Sequence, residues 1–261
     1  MAYSEQQQPW QNPVKTRLAS GEPVFGITIT NSSLDSAVQA ASLGFDFLWI
    51  EMEHSPLTLE TLRNIVLATR ACTTVPFARV PVNELWTAKR VLDAGVCGVI
   101  FPFTTTPELA RRAADACHYP PHGRRGSGAG LAVRSWPESG NYYDSADANV
   151  VVVTVIEEAA AIERIDEIAA TPGVDVLFIG TSDLSFSLGL RGEQNHPQLD
   201  AAIEKIVAAA KRHGKFLGRP LREPAELAPL RAQGFQFFQT PTDLDFLAAG
   251  ARAYLNHSAT I

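Results

Sequence analysis

The sequence predicts a single (β/α)8 barrel of the TIM type, an α/β fold, and three observations lead to it. The 261 residues contain eight successive pairs of a short β-branched or aromatic run and a longer helical run. The short runs are almost continuously apolar, as in parallel sheets whose two faces are both covered. Eight such units in about 250 residues is the usual size of a closed barrel. An open doubly wound sheet is the alternative, but no GxGxxG motif follows the first strand.

The elements follow one another along the chain with regular punctuation. The predicted strands are VFGITIT, FDFLWIEME, PFARVP, GVIFPF, NVVVVTVIE, VDVLFIG, KFLGRPL and FQFFQTP. The helical runs after them are LDSAVQAASLG, TLETLRNIVLATRA, ELWTAKRVLDAG, TPELARRAADACHY, EAAAIERIDEIAA, TSDLSFSLG with LDAAIEKIVAAAKRHG, EPAELAPLRAQG and LDFLAAGARAYL. Gly44, Gly95, Gly214 and Gly234 each stand between a helix and a strand, where a residue with positive φ ends the helix.

The barrel is predicted to be the only domain, spanning residues 1–261. Residues 1–13 are polar and precede the first strand, so we expect a loose N-terminal arm. Residues 120–148 show no helical or strand periodicity. This long segment contains PPHGRRGSGAG, which lacks the GK[ST] of a Walker loop and is interpreted as a flexible lid or a subunit contact.

Composition excludes several classes of partner. The formal net charge is −6 and the pI is about 5.5, so there is no basic excess for nucleic acid. There is no run of 18 apolar residues and no signal peptide, so we expect no membrane association. Three cysteines without a CxxC pair indicate reduced thiols, and hence a cytoplasmic protein.

Polar residues gather at the carboxyl ends of the predicted strands, where barrel enzymes have their active sites. These residues are Glu51, Glu53, His54, Arg79, Glu157, Glu158, Gly180, Thr181, Ser182 and Asp183. Glu157 and Asp183 follow neighbouring strands, so their carboxylates should converge and repel unless a cation lies between them. A hard divalent cation with oxygen ligands would meet that need. Stabilisation of two helix N-termini by these acids is the alternative.

Two further residues have chemistry suited to catalysis. His54 follows the second strand and could act as a general base near neutral pH, or could be a loop histidine bonded to a backbone carbonyl. Arg79 lies inside an apolar strand and is costly to bury without an anion, which could be a core carboxylate or a substrate oxyanion. The TSDLS segment after the sixth strand offers free backbone N–H groups to a carboxylate.

Taken together and in order, four segments resemble the metal-dependent pyruvate aldolases typified by 4-hydroxy-2-oxoheptanedioate aldolase and 2-dehydro-3-deoxyglucarate aldolase. They are FDFLWIEMEHSP, PFARVPVNELWTAKRVLDAGVCGVIFP, YPPHGRRGSG and VIEEAAAIERIDEIAATPGVDVLFIGTSDLS. They span residues 45 to 190. The resemblance implies a lyase that joins or cleaves a 4-hydroxy-2-oxo acid to give pyruvate and an aldehyde. It also implies an enolate stabilised by Mg²⁺, Mn²⁺ or Co²⁺, and a homo-oligomer, trimeric or hexameric, whose subunits share helices.

The resemblance carries roles to individual residues. It implies that His54 is the catalytic histidine, that Asp93 of VLDAG orients it, and that Arg79 supports the substrate oxygen. It implies that Glu157 and Asp183 hold the metal. Asp183 and Ser182 would also hold the substrate carboxylate, Ser182 through its backbone N–H.

The chain departs from the family pattern around the expected substrate. Val155 stands where the family has glutamine, Glu51 where it has aspartate, and strand 7 reads GRPL in place of an aliphatic segment. These departures leave room for a related metal-enolate lyase, such as an oxaloacetate decarboxylase or a CoA-thioester lyase. A non-catalytic barrel that binds a small acid is a further alternative.

A Schiff-base aldolase is disfavoured, because such an enzyme needs a lysine at a strand end inside the barrel. Lys89, Lys205 and Lys211 fall on helices, and Lys215 falls at the start of strand 7.

Overall fold

The computed structural model describes residues 10–136 and 141–258, which form a closed barrel of parallel strands. The strands are β1 (Val24–Ile29), β2 (Phe47–Glu51), β3 (Val75–Arg79), β4 (Gly98–Phe101), β5 (Val151–Ile156), β6 (Val176–Ile179), β7 (Phe216–Pro220) and β8 (Phe235–Thr242). Each strand pairs in parallel with the next, and β8 pairs with β1. The predicted barrel is therefore confirmed.

Helices alternate with these strands along the chain. They are α1 (Pro13–Ala19), α2 (Leu34–Ser42), α3 (Leu59–Thr69), α4 (Leu85–Ala94), α5 (Pro107–Cys117), α6 (Gly130–Val133), α7 (Tyr142–Asn149), α8 (Ala159–Glu163), α9 (Ile165–Ala169), α10 (Thr181–Ser187), α11 (Pro197–Arg212), α12 (Leu227–Gln233) and α13 (Asp243–Ser258). A helix that connects two parallel neighbours returns from the carboxyl ends of the strands to their amino ends. Its last turn therefore lies at the end of the barrel opposite the expected active site.

The glycines between helices and strands have the predicted conformation. Gly95 and Gly234 end α4 and α12 with φ values of 108° and 106°. Gly44 and Gly214, after α2 and α11, also have positive φ. Glycine takes this left-handed conformation without the steric cost of a Cβ atom, which explains why each helix stops there.

Aromatic rings fill the interior of the barrel. The ring centroid of Phe47 lies 4.6 Å from that of Phe237, and the centroid of Trp49 lies 5.0 Å from that of Phe178. Gly26 on β1 makes this packing possible, because a Cβ atom there would lie 2.0 Å from the Phe47 ring. The interior is a packed core, so a ligand must bind at one end of the barrel.

The N-terminal prediction needs a correction. Residues 1–9 of the expected loose arm lie outside the described residues, but residues 10–13 pack against the barrel. Trp10 stacks on Trp136 with ring centroids 5.1 Å apart. Asn12 is buried, caps α1 by accepting the N–H of Val14, and donates to the backbone oxygens of Cys97 and Asn149. A polar residue thus anchors this segment through hydrogen bonds that composition alone does not reveal.

The described parts of the non-periodic segment 120–148, residues 120–136 and 141–148, are also more ordered than predicted. The short helices α6 and α7 lie within it or at its end. Neither helix shows a detectable helical period of apolar residues, because α6 has only four residues and α7 (YYDSADAN) buries only Ala146. A second difference concerns the predicted helix EAAAIERIDEIAA, which is divided into α8 and α9 at Arg164.

The expectation of no membrane association can be compared with the length and hydropathy of the helices. Among the described residues, none of the helices combines the length and the apolar character that a bilayer crossing requires.

Candidate active site

The carboxyl ends of β2 and β3 bring Glu51 and Arg79 together. The two residues are paired in the register of the sheet. Glu51 Oε2 accepts a hydrogen bond from Arg79 Nε at 2.6 Å. Only 13% of the Arg79 side chain is exposed, so the ion pair is largely shielded from water. The buried guanidinium thus has the core carboxylate that sequence reasoning considered as one of its two possible partners.

Glu53 lies between Arg79 and His54. Its Oε2 atom is 3.1 Å from Arg79 Nη1 and 3.6 Å from His54 Nε2. The same atom is buried and has no hydrogen-bond partner among the described residues. The His54 ring is 60% exposed at the mouth of the barrel, where a substrate could reach it. Burial, with the charges of Glu51 and Asp183 nearby and Arg79 opposing them, raises the pKa of Glu53 to about 7.

Glu157 follows β5 and is buried at the same end of the barrel. Its Oε1 accepts the backbone N–H of Phe103 at 2.6 Å. Gly180 at the end of β6 passes so close that a Cβ atom there would lie 2.8 Å from Glu157 Oε2. Burial raises the pKa of Glu157 to about 7; the Phe103 hydrogen bond opposes this shift, and the charges of Glu53 and Asp183 add to it.

Asp183 and Ser182 lie in the first turn of α10, and both are exposed. The charge of Asp183 acts on the carboxyl groups of both Glu53 and Glu157. Strand ends β2, β3, β5 and β6 therefore bring Glu53, Arg79 and Glu157 into one electrostatic cluster with Asp183.

The cluster fits a divalent cation in its chemistry. Its donors are carboxylate oxygens, the ligands that Mg²⁺ and similar ions prefer. Glu157 is buried among other acids, and a nearby cation would favour its ionised form. Within residues 10–136 and 141–258, no three His, Cys, Asp or Glu side chains form a complete metal site. An ion held by Glu157 and Asp183 would therefore need water or substrate as its other ligands.

Comparison with known proteins decides the family. The family described as HpcH/HpaI aldolase/citrate lyase matches residues 26–249 of this chain. The chain belongs to that family. A hydroxypyruvate/pyruvate aldolase of Paraburkholderia phytofirmans is 34% identical over 250 residues, which are 94% of this chain and 96% of that protein. A 5-keto-4-deoxy-D-glucarate aldolase of Salmonella arizonae is 32% identical over 92% of this chain and 94% of its own length.

The crystal structure of an HpcH/HpaI family protein from Burkholderia cenocepacia superposes with a TM-score of 0.87 at 32% identity. The match covers 95% of this chain and all of that one. Sequence, fold and family thus agree, and the resemblance to aldolases that was inferred from four segments is confirmed.

Asp93, which the family resemblance predicts to orient the catalytic histidine, does not lie beside His54 of its own chain. It is the penultimate residue of α4, and this helix ends at the barrel end opposite His54. Its carboxylate instead lies 3.6 Å from Arg125 Nη2 and beside the backbone of Gly128. Within the described residues no hydrogen bond or ion pair joins Asp93 to His54 of the same chain. Glu53 is the carboxylate that approaches His54 here.

The interpretation of the PPHGRRGSGAG segment as a lid over the mouth of its own barrel is wrong. The segment follows α5 and leads into β5, so it lies at the amino ends of the strands, away from the mouth. Arg125 anchors it: the guanidinium is buried, lies 4.6 Å from the ring centroid of Tyr119 and donates to the Tyr142 hydroxyl at 3.0 Å. Of the two alternatives, a subunit contact is the one compatible with this position.

Val155 and Arg219, two departures from the family pattern, lie on opposite faces of the barrel wall. Val155 is buried in the barrel interior, and its side chain contacts the position of Gly180 beside Glu157. Arg219 of the GRPL segment instead points outward, with its guanidinium 5.5 Å from the ring centroid of Phe235 in the outer layer. Side chains alternate along a strand, so Arg219 cannot face the substrate as expected.

The lysines support a reaction without a Schiff base. The chain has five, and four of them, Lys15, Lys89, Lys205 and Lys211, lie on helices. Lys215 precedes β7 and donates to the backbone oxygens of Thr171 and Val174, both at 2.9 Å, at the amino end of the barrel. None of the five stands at the carboxyl end of a strand.

Two site residues were not given roles by sequence reasoning. Glu53 was noted among the polar strand ends, but its contact with both Arg79 and His54 depends on the turn after β2. Phe103 has a φ of 48°, which is unusual for a residue with a side chain, and this backbone conformation aims its N–H at Glu157. No residue pattern indicates that conformation, because the sequence there reads as an ordinary strand end.

Proposed function

We propose that this chain is a pyruvate aldolase that cleaves or forms a 4-hydroxy-2-oxo acid, with pyruvate and an aldehyde as the two partners. The observation that carries the proposal is the cluster of Arg79 with Glu53, Glu157 and Asp183 at the mouth of the barrel. The membership of the HpcH/HpaI aldolase/citrate lyase family and the two aldolase-named relatives support it.

Glu157 and Asp183 are the proposed holders of a divalent ion, Mg²⁺, Mn²⁺ or Co²⁺. Such an ion, when bound, supplies Lewis-acid polarisation of the oxygens of a 2-oxo acid. Phe103 and Gly180 fix the Glu157 carboxylate from two sides, so it needs little reorganisation to act as a ligand. The backbone N–H groups at the start of α10, including that of Ser182, are proposed to receive the substrate carboxylate.

Arg79 is proposed to stabilise the negative charge that develops on the 2-oxo oxygen. Its Nε is held by Glu51 and its Nη1 lies near Glu53, so the guanidinium is oriented before substrate arrives. A preoriented positive group in a site shielded from water is the kind of feature that lowers the barrier to enolate formation.

His54 is proposed to transfer the proton of the reaction, with Glu53 as its carboxylate partner within the chain. The ring is exposed at the mouth, and Glu53 Oε2 lies 3.6 Å from Nε2. A carboxylate at this distance can help to fix the orientation of the imidazole ring. Val155 in place of a polar residue removes one hydrogen-bond donor from the substrate side.

A homo-oligomer, trimeric or hexameric, is proposed as the working form. Helix α13 leaves large apolar side chains in water, with Leu244 51%, Leu247 69% and Leu255 63% exposed. Apolar surface of this extent on one helix is typical of a subunit contact. All three cysteines are free, in accord with our proposal that the enzyme works in the cytoplasm.

An oligomer also offers a place for Asp93. Since Asp93 lies at the opposite end of its own barrel, we infer that it orients His54 of a neighbouring subunit. Hybrid oligomers of His54→Ala and Asp93→Asn chains test this. If Asp93 acts across the interface, activity per intact His54 should exceed that of the pure Asp93→Asn enzyme. Equal activity would show that Asp93 does not serve a neighbour's His54.

The test of the proposed function is a substrate panel with the purified, metal-supplemented protein. Aldol addition of pyruvate and of hydroxypyruvate to a series of aldehydes should be detected by product analysis. Oxaloacetate decarboxylation and cleavage of CoA thioesters, measured in parallel, address the rival lyases. Turnover of CoA thioesters without any aldol activity would contradict the proposal.

A further inference from the structure

The carboxylate of Glu51 is fully occupied by hydrogen bonds from the protein itself. It is the last residue of β2 and only 2% exposed. Its Oε1 accepts the backbone N–H groups of Glu53 at 2.8 Å and His54 at 3.0 Å. Its Oε2 accepts the indole N–H of Trp49 at 3.1 Å and Arg79 Nε at 2.6 Å.

These four hydrogen bonds use the whole acceptor capacity of the carboxylate. Each carboxylate oxygen offers about two lone-pair positions, and each oxygen of Glu51 has two donors. The group therefore has no free position for a metal ion, a substrate or a transferred proton. Its chemical effect must pass through the groups that it holds.

The groups that Glu51 holds are the two proposed catalytic elements at this edge of the site. Through Oε2 it fixes the Nε edge of Arg79, whose guanidinium also lies 5.7 Å from the ring centroid of Trp49. Through Oε1 it closes the turn that carries His54. One side chain thus links the orientation of the guanidinium to the position of the histidine backbone.

We propose that Glu51 is a positioning residue for the aldol reaction: it sets the direction of Arg79 and anchors the turn of His54. This inference rests on the proposed function of the site. It requires the length of glutamate, because the carboxylate reaches from the strand end to a tryptophan of the barrel interior and to the turn at once. An aspartate would draw the carboxylate back by about 1.5 Å, one C–C bond, and could not keep both sets of contacts.

The first test is the variant Glu51→Gln. The amide keeps the size of the side chain, but its NH2 group cannot accept from Arg79 Nε and Trp49 Nε1. We expect kcat for aldol cleavage to fall roughly 10- to 100-fold, the size of one lost charge-assisted hydrogen bond. Glu51→Asp should fall in the same range. Glu158→Gln is the control variant. Glu158 lies outside the cluster, and its carboxylate accepts a hydrogen bond from Thr105. The rate of this variant should stay within about twofold of the parent rate.

The second test separates positioning from a purely structural role with a double-mutant cycle. If Glu51 acts through Arg79, then Glu51→Gln should cost less than about threefold when it is added to Arg79→Lys, because the group that it orients is already lost. An equal fold-reduction in both backgrounds would overturn the proposal. A melting curve of each variant confirms that the rates refer to folded protein.

Trp49→Phe keeps the cycle informative should Glu51→Gln fail to fold. It removes one of the four hydrogen bonds and keeps an aromatic ring, so a smaller loss, again non-additive with Arg79→Lys, is the expected result. Additive losses would overturn the proposal here too. A parent enzyme without aldol or proton-exchange activity on any 2-oxo acid would overturn the proposed function itself, and this inference with it.

Discussion

Two buried arginines lie at opposite ends of the barrel, and their surroundings differ in charge. Arg79, at the carboxyl ends of the strands, lies between the carboxylates of Glu51 and Glu53. Arg125, at the amino ends, lies against the ring of Tyr119, is hydrogen-bonded to a tyrosine hydroxyl, and has one carboxylate, Asp93, 3.6 Å away. Arg79 thus belongs to an acidic cluster, whereas Arg125 belongs to a cluster that is nearly neutral.

The difference indicates which end binds a cation. At the mouth, Glu51, Glu53, Glu157 and Asp183 outnumber the single Arg79. Burial and mutual repulsion raise the pKa of Glu53 and of Glu157 to about 7, which means that the ionised cluster destabilises the metal-free fold. At the opposite end the charges of Arg125 and Asp93 balance. An imbalance that costs stability is typical of a site that binds a cation, whereas the balanced pair at the opposite end needs no further cation.

The largest expected effect comes from removing the cation that the mouth is proposed to bind. Exhaustive chelation should abolish aldol cleavage, and added Mn²⁺, Co²⁺ or Mg²⁺ should restore it. Glu157→Gln should abolish activity in the presence of metal, because one of two protein ligands is lost. Turnover is the measurement, with metal content determined on the same sample. Full activity after chelation would mean that the acidic cluster has another purpose.

The next effect concerns His54, an exposed residue of the mouth. His54→Ala should lower the rate of aldol cleavage by roughly 100-fold or more, the usual contribution of a positioned acid–base group. Metal binding, followed by titration calorimetry with Mn²⁺, should be retained because His54 is not a proposed ligand. Near-normal turnover would show that another group transfers the proton, and Glu53→Gln would then be the variant to examine.

The comparison of the two arginines is tested by conservative replacement of each. Arg79→Lys should lower turnover by about tenfold or more with little loss of stability, since lysine lacks the planar fork that Glu51 and Glu53 hold. Arg125→Met should instead lower the free energy of unfolding, by about 3 kcal/mol, because it leaves Asp93 and the tyrosine hydroxyl without their buried partner. Urea denaturation and steady-state kinetics of both variants measure the two effects. A loss of stability with normal turnover in Arg79→Lys, together with a loss of turnover at normal stability in Arg125→Met, would contradict the comparison.

The smallest effect is a pH dependence of stability in the metal-free protein. An acid whose folded pKa is raised binds more protons in the folded state than in the unfolded state. The free energy of unfolding therefore falls as pH rises from 4.5, the ordinary pKa of a glutamate, to about 7, the raised pKa of Glu53 and Glu157. We expect a fall on the order of 2 kcal/mol, which Glu157→Gln or saturating Mn²⁺ should reduce. An identical slope in Glu157→Gln would show that this carboxyl group does not titrate in the window.

Much of the fold and part of the site follow from the sequence for simple physical reasons. Apolar strand runs separated by helices allow few arrangements, and parallel strands place Arg79, Glu157 and Asp183 at one end of a barrel by topology alone. The same topology places Asp93, at the end of α4, at the opposite end, so the predicted pairing of Asp93 with His54 does not form within one chain and stays a prediction for two subunits.

Other features depend on local geometry that residue patterns do not encode. Glu53 and Glu51 are both acids of one strand end. Only the turn after β2 decides that Glu51 accepts four hydrogen bonds, while Glu53 Oε2 accepts none among the described residues. The positive φ of Phe103 depends on the packing around Glu157. Arg219 could have been placed outward by strand alternation, since Gly218 beside it faces the rings of Phe178 and Phe237.

The most direct test of the central claim, that the acidic mouth around Arg79 forms the enolate of a 2-oxo acid, is proton exchange at the methyl group of pyruvate. It is followed by NMR in deuterated water and needs no aldehyde. We predict that the protein exchanges these protons with Mn²⁺, Co²⁺ or Mg²⁺ present, that chelation stops the exchange, and that Arg79→Lys slows it as much as it slows aldol cleavage. Exchange at the parent rate by an Arg79→Lys enzyme that cannot cleave the aldol would contradict the account, because Arg79 would then serve the aldehyde and not the enolate.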